Sequence, residues 1–169
     1  TAGSFIMMAR KDIMDQLGIA APTTYDELYA MREAMKAAYP DSYPISNRQK
    51  IDFIFSILAP SLGIQSFPAG PNGTGWAAFD SESGTFHSAL TEPNFKFFIE
   101  FMKKCFDNGL LDPNYATDDT ATWEGKIVSG QGFVAFDWFA RPEMMNNIAI
   151  GGGTEGYKLA AILPPAMEA

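Results

Sequence analysis

The sequence is short of the residues that build covalent or metal chemistry. Its 169 residues hold one cysteine, Cys105, and one histidine, His87. A single thiol excludes an internal disulfide and a multi-thiolate metal site. Cys105 falls among Phe101, Met102 and Phe106 in a helical pattern, where a buried, unreactive thiol is expected. His87 has no second His or Cys beside it and reads as a surface or packing residue. Basic residues are also scarce, with 12 Lys plus Arg against 20 Asp plus Glu and a formal net charge of -8. They are scattered, which excludes the clustered cations a nucleic-acid surface needs. No apolar run approaches the length of a membrane span. The start, TAGSFIMMARKD, has neither a basic leader nor a cleavage pattern and no initiator Met, so a longer parent protein is expected.

What is present describes a folded chain. Hydrophobic residues make up 47% and charged residues 19%, a globular balance with length for one core. Residues 4–9 are a short apolar run, read as a strand. Residues 10–17 form a short helix stopped by Gly18. Thr24 with Glu27 three positions on is a capping box, and the helix behind it runs to about Tyr39. Its Leu28, Met31, Met35 and Ala38 share one face. Residues 42–46 read as a weak or edge strand because of Pro44, and residues 51–58 as a buried helix. Residues 63–75 read as a Gly/Pro loop. Residues 76–80 and 85–88 flank a four-residue turn as a hairpin. Thr91 is the expected cap of a helix with Phe95, Phe98, Ile99, Met102 and Phe106 on one stripe. Helices are expected over 120–128 and 142–148, and strands over 133–136 and 157–163. Strands and helices alternate around one inserted hairpin, which defines an α/β fold with a mixed sheet.

Motifs for catalysis find little support. There is no Gly-x-Ser-x-Gly elbow. Residues 151–154, GGGT, lack the Lys-Ser/Thr end of a phosphate loop and precede a strand. Asp80, Glu82 and Glu124 read as solvated charge, whereas Asp137 directly follows an apolar strand. A carboxylate pair involving Asp137 would be the basis of an alternative reading as a glycan-active enzyme. A third reading, an interaction domain, rests on Met144 and Met145, the methionines not on predicted core faces.

Residues 131–141, QGFVAFDWFAR, carry the strongest candidate site. A buried strand ends in Asp137, Trp138, Phe139 and Arg141, a carboxylate, two aromatic rings and a guanidinium. Ligands in open α/β sheets sit outside the carboxyl ends of strands. Aromatic faces suit the apolar C–H surface of a sugar, and Asp, Asn, Arg and Gln suit its hydroxyls. Trp76 and Tyr43 are further aromatics at strand ends or loops.

Four segments in order carry a resemblance. The first holds Arg10, Lys11, Asp12, Leu17, Gly18 and the run Pro22, Thr23, Thr24, Tyr25, Asp26, Glu27, Leu28. The others are FDNGLLDPNYAT (106–117), TWEGKIVSGQGFVAFDWF (122–139) and YKLAAILPP (157–165). Together they resemble family 1 extracellular solute-binding proteins of ABC transporters. The resemblance implies a periplasmic-binding-protein type II-like lobe, a mixed sheet flanked by helices. Residues 1–169 would be a single α/β lobe, part of the second lobe of a two-lobe protein. It implies capture of an extracellular carbohydrate, an oligosaccharide, for an ABC importer, without enzymatic activity, cofactor or metal. The implied partners are the sugar and the transporter's permease subunits, with no nucleic acid. The implied place is the cell surface or periplasm, with any lipid anchor outside this stretch. In the family's maltodextrin-binding members the loop before the buried helix contacts ligand, and the matching residues are Asn47, Arg48, Gln49 and Asp52. The family's stacking tryptophan matches Asp137-Trp138-Phe139. Arg48 and Lys50 replace an acidic and aromatic pattern there, which leaves room for anionic or branched glycans.

Overall fold

The computed structural model describes residues 5–48, 52–68 and 74–166. A three-stranded sheet runs in the order β5-β1-β6, with β1 (Phe5–Arg10) central between β5 (Val134–Trp138) and β6 (Leu159–Ile162). Both pairings are antiparallel. Ile45 adds parallel bridges to Val134 and to Leu111, which makes the sheet mixed at that edge. The residue before it, Pro44, has no N–H to give a ladder, but its carbonyl accepts from Phe133 and Val134. The expected strand over 42–46 is therefore reduced to this one residue.

Alternation along the strands sends side chains to two separate cores. Met7, Ala9, Val134 and Phe136 join α2 (Tyr25–Ala38), α3 (Asp52–Leu58) and α4 (Pro93–Asp107) on one face. Met8, Ala135 and Leu159 join α5 (Thr120–Val128) and α6 (Arg141–Gly151) on the other. Helix α1 (Lys11–Leu17) adds Ile13 and Met14 to the first core and ends at Gly18, whose φ of 68° is left-handed. The α2 capping box is formed in full. Thr24 Oγ1 accepts from the Glu27 N–H at 3.1 Å, and Glu27 accepts from the Thr24 N–H at 3.3 Å.

A second antiparallel sheet has the order β2-β3-β4, from β2 (Ile64–Pro68), β3 (Thr74–Asp80) and β4 (Thr85–Ser88). The hairpin is as expected, and Asp80 closes its turn by accepting from the Glu82 N–H and the Ser83 hydroxyl. The loop expected over 63–75 is corrected at Ile64–Pro68, which forms a ladder with β3. Its partner supplies the order that its Gly/Pro surroundings conceal. Two expectations around α4 also change. Thr91 ends a short 3-10 turn, and Glu92 takes the N-cap ahead of Pro93. The buried face is Phe98, Phe101, Met102 and Cys105, while Ile99 and Phe106 are exposed. This helix is apolar most of the way round, so periodicity alone does not choose its inner face.

Arg32 lies wholly inside the first core. It donates to Cys105 Sγ at 3.5 Å and lies 5.4 Å from the Phe101 ring. Burial and the neighbouring guanidinium act oppositely on the Cys105 thiol, and burial, the larger effect, leaves its pKa raised. Met145 is buried and Met144 exposed. Among the described residues no helix is long and apolar enough to cross a membrane.

The turn into β5 uses two glycines for different reasons. Gly130 has a φ of 81°, which favours glycine. At Gly132 an added Cβ would stand 2.5 Å from Ser46 Cβ and 3.0 Å from Ile127 Cδ1. Gly132→Ala is expected to lower stability by about 1–3 kcal/mol through this overpacking, read as a lower urea midpoint with an unchanged slope.

Candidate ligand-binding edge

The carboxyl end of β5 brings together residues from four segments. Strand alternation turns Asp137 toward α5 and α6, and Trp138 toward α3. Asp137 is 0% exposed. Arg48, from the loop before α3, grips it with a two-pronged pair, Nε to Oδ2 at 2.6 Å and Nη2 to Oδ1 at 3.0 Å. The Trp138 backbone N–H donates to Oδ1 at 2.7 Å. Arg141 Nε approaches the same oxygen at 3.5 Å, while its Nη1 donates to Glu124. Two guanidinium groups and two carboxylates thus form a balanced, largely dehydrated cluster.

Trp123 underlies this cluster. It is buried in α5, and its Nε1–H donates to the Ser46 carbonyl at 3.1 Å, pinning the loop that carries Arg48. The Arg48 and Arg141 guanidinium carbons lie 5.5 and 5.6 Å from its ring centroid. Arg48 Nη1 also donates to Thr120 Oγ1 at 3.3 Å. Asn47 is buried, and its Nδ2 donates to the Arg48 carbonyl at 2.9 Å. It shapes the loop.

The open part of the edge is aromatic. Trp138 is 44% exposed and Phe139 65% exposed. Phe5 lies 4.3 Å from Trp138 and 4.9 Å from Phe53, centroid to centroid. Three rings therefore form a continuous tilted row with the indole at its outer end.

The sequence candidates divide accordingly. Trp138 and Phe139 face solvent, and Asp52 is exposed in the first turn of α3. Asp137 is not open to a ligand, because both oxygens are occupied by N–H groups, and Arg48 is spent on Asp137. Arg141 is half-buried between Glu124 and Asp137. Trp76 packs elsewhere, in the second sheet, 4.6 Å from Phe55 and 6.1 Å from Phe95. Gln49 lies outside the described residues. Trp123, Thr120 and Phe5 carry no local motif and are not among the candidates, whereas Phe53 ends the loop stretch that the resemblance matches. Glu124 is not simply solvated charge but the partner of Arg141.

This geometry does not suit a catalytic carboxylate pair. Asp137 has no free face to meet a glycosidic oxygen, and the acid beside it, Glu124, is reached through Arg141. Among the described residues no group of three or more His, Cys, Asp or Glu could hold a metal ion. The edge is an exposed aromatic rim over a charge-neutral cluster.

The chain has the fold of the solute-binding proteins of ABC transporters. It superposes on alginate-binding protein AlgQ2, in a structure without calcium ion, with a TM-score of 0.76 over 96% of this chain, at 23% identity. An extracellular solute-binding protein from Bifidobacterium longum subsp. infantis matches over 98% of the chain with a TM-score of 0.70 and 26% identity. In sequence the chain is 24% identical over 151 residues to lipoprotein LipO of Bacillus subtilis (strain 168), which spans 83% of this chain. No family model matches. The chain spans 28% of LipO and 32% and 35% of the two solved structures.

Proposed function

We propose that the chain is a single α/β lobe, part of the second lobe, of the substrate-binding component of an ABC importer. It captures an extracellular carbohydrate, an oligosaccharide, in a cleft that a second lobe closes. The observation that carries this reading is the exposed indole of Trp138 at the carboxyl end of β5, backed by Phe5 and Phe53. An indole packed at a 38° tilt on the Phe5 ring offers its other flat apolar face to the C–H side of a sugar. The neutralised Arg48–Asp137–Arg141–Glu124 base adds no unpaired charge beneath it.

The likeness to binding proteins for glycans supports the same reading, as does the lipoprotein LipO for a place on the outer surface. Closure of the two lobes would present the loaded protein to the permease subunits, and the protein itself would do no chemistry. Membrane attachment would come from a lipid anchor outside residues 1–169.

Calorimetry tests this on the protein made with whatever its gene encodes on either side of this stretch, against a panel of neutral and uronate-containing oligosaccharides. At least one sugar should bind, and Trp138→Ala should weaken that binding at least tenfold, about 1.4 kcal/mol or more. Absence of binding across the panel sinks the reading. Undiminished binding by Trp138→Ala removes the tryptophan from it.

A further inference from the structure

The contacts at the end of β5 form a closed circuit. The Arg48 guanidinium lies 5.2 Å from the Phe53 ring, Phe53 meets Phe5 at 4.9 Å, and Phe5 meets Trp138 at 4.3 Å. From Trp138 the path returns through its backbone N–H to Asp137, and through both Asp137 oxygens to Arg48. One side chain therefore touches the exposed indole's supports from both sides of the sheet. The ring path fixes the indole's face. The carboxylate path fixes the peptide plane from which the indole departs.

We propose that Arg48 is the positioning residue for Trp138, holding the indole in one orientation before any ligand arrives. The inference rests on the reading that Trp138 is the stacking face. Its chemistry needs an arginine. The planar fork meets both carboxylate oxygens at once and can lie against a ring at the same time. A lysine ammonium is a single point that keeps the charge and loses both geometries. With both oxygens held, the carboxylate cannot swing away from the Trp138 N–H. A ligand then meets an indole that has already lost its rotational freedom. Ordering a free side chain on binding would cost about two- to tenfold in affinity, and that is the loss expected when Arg48 is changed.

The test uses 5-fluorotryptophan labelling and fluorine NMR of the protein made with its flanking sequence. Each indole gives its own line, and the Trp138 and Trp76 lines are assigned by their loss in Trp138→Phe and Trp76→Phe. Two variants are compared, Arg48→Lys and the double variant Arg48→Met with Asp137→Leu. The double variant removes both charges together and so avoids leaving one buried and unpaired. The Trp76 line serves as the control for an intact fold. In both variants the Trp138 line should shift and broaden while the Trp76 line stays in place. Affinity for whichever panel sugar binds the wild type should fall about two- to tenfold.

An unmoved Trp138 line in both variants overturns the proposal, even if affinity falls. A moved line with unchanged affinity overturns it as well, because the orientation would then not serve binding. If the wild type binds no sugar, the binding function fails on its own account. The fluorine spectra still decide whether Arg48 orients the indole.

Discussion

Asp137→Ala is expected to lower stability by about 3–5 kcal/mol, the cost of leaving a buried guanidinium without its counter-charge. Arg48 is almost wholly buried, so water cannot replace the two carboxylate bonds it would lose. The aromatic rings near it, Phe53 and Trp123, offer only a fraction of that compensation. Asp137→Asn is the sharper comparison. It keeps the volume and can still accept from the Trp138 N–H, but it removes the charge, so most of the loss should persist. The double variant with Arg48→Met and Asp137→Leu should recover most of the stability, because matched apolar residues often replace a buried pair without net cost. Urea unfolding of the four proteins measures this directly. If Asp137→Ala costs less than about 1 kcal/mol, the range of an exposed pair, the cluster is solvated and the account of a dry base beneath Trp138 is wrong.

The sequence made some of this visible because the relevant signals are local. Thr24 and Glu27 are three residues apart, and their capping box needs nothing beyond that spacing. The apolar run before Asp137 announced a buried strand, and the break into Asp137, Trp138 and Phe139 announced its end. What the sequence hid lies in pairings that no window spans. Arg48 and Asp137 are 89 residues apart, and Trp123 and Ser46 are 77 apart. Nothing near Trp123 distinguishes a core residue from one that also pins the loop carrying Arg48. β2 was concealed for the same reason, since its order comes from β3 and not from its own residues. α4 differs from its expected face for another reason: Phe95 to Phe106 offers apolar residues on nearly every side. Packing of Phe101 against the Tyr25 and Tyr29 rings of α2 sets a face that periodicity leaves open.

The division between open and engaged residues also sharpens the view of the edge. By chemical type, Asp137, Arg48, Trp138 and Phe139 are all candidates for ligand contact. In the fold the charged pair turns inward and the aromatic pair outward. Strand alternation sends Asp137 and Trp138 to opposite faces of the sheet, and Trp138 is exposed because it is the last residue of β5, beyond the packed part of its face.

Lys126→Met should cost about 3–5 kcal/mol and lower the melting temperature by roughly 6–20 °C. Lys126 Nζ lies 2.6 Å from Asp112 and 2.5 Å from Asp118, and both carboxylates are nearly buried. Removing the ammonium leaves two acids close together with no cation between them. Adding Asp112→Asn and Asp118→Asn to Lys126→Met should restore much of the loss, since the repulsion goes with the charges. The bridge fastens α5 to the segment after Leu111, and α5 supplies Trp123, Glu124 and Thr120 to the edge. Loss of the bridge should therefore also disturb the Trp138 fluorine line. The pH dependence gives a second measurement. Burial lowers the Lys126 pKa, but hydrogen bonds and attraction from Asp112 and Asp118 outweigh it and leave the pKa raised above its ordinary 10.5. The folded state then binds more protons than the unfolded state in the window just above 10.5, so stability falls as pH rises through it. The contribution is complete below that window and is lost once pH passes the folded-state value. Lys126→Met should lack this particular alkaline decline, and a decline of equal size in wild type and variant would remove Lys126 as its source.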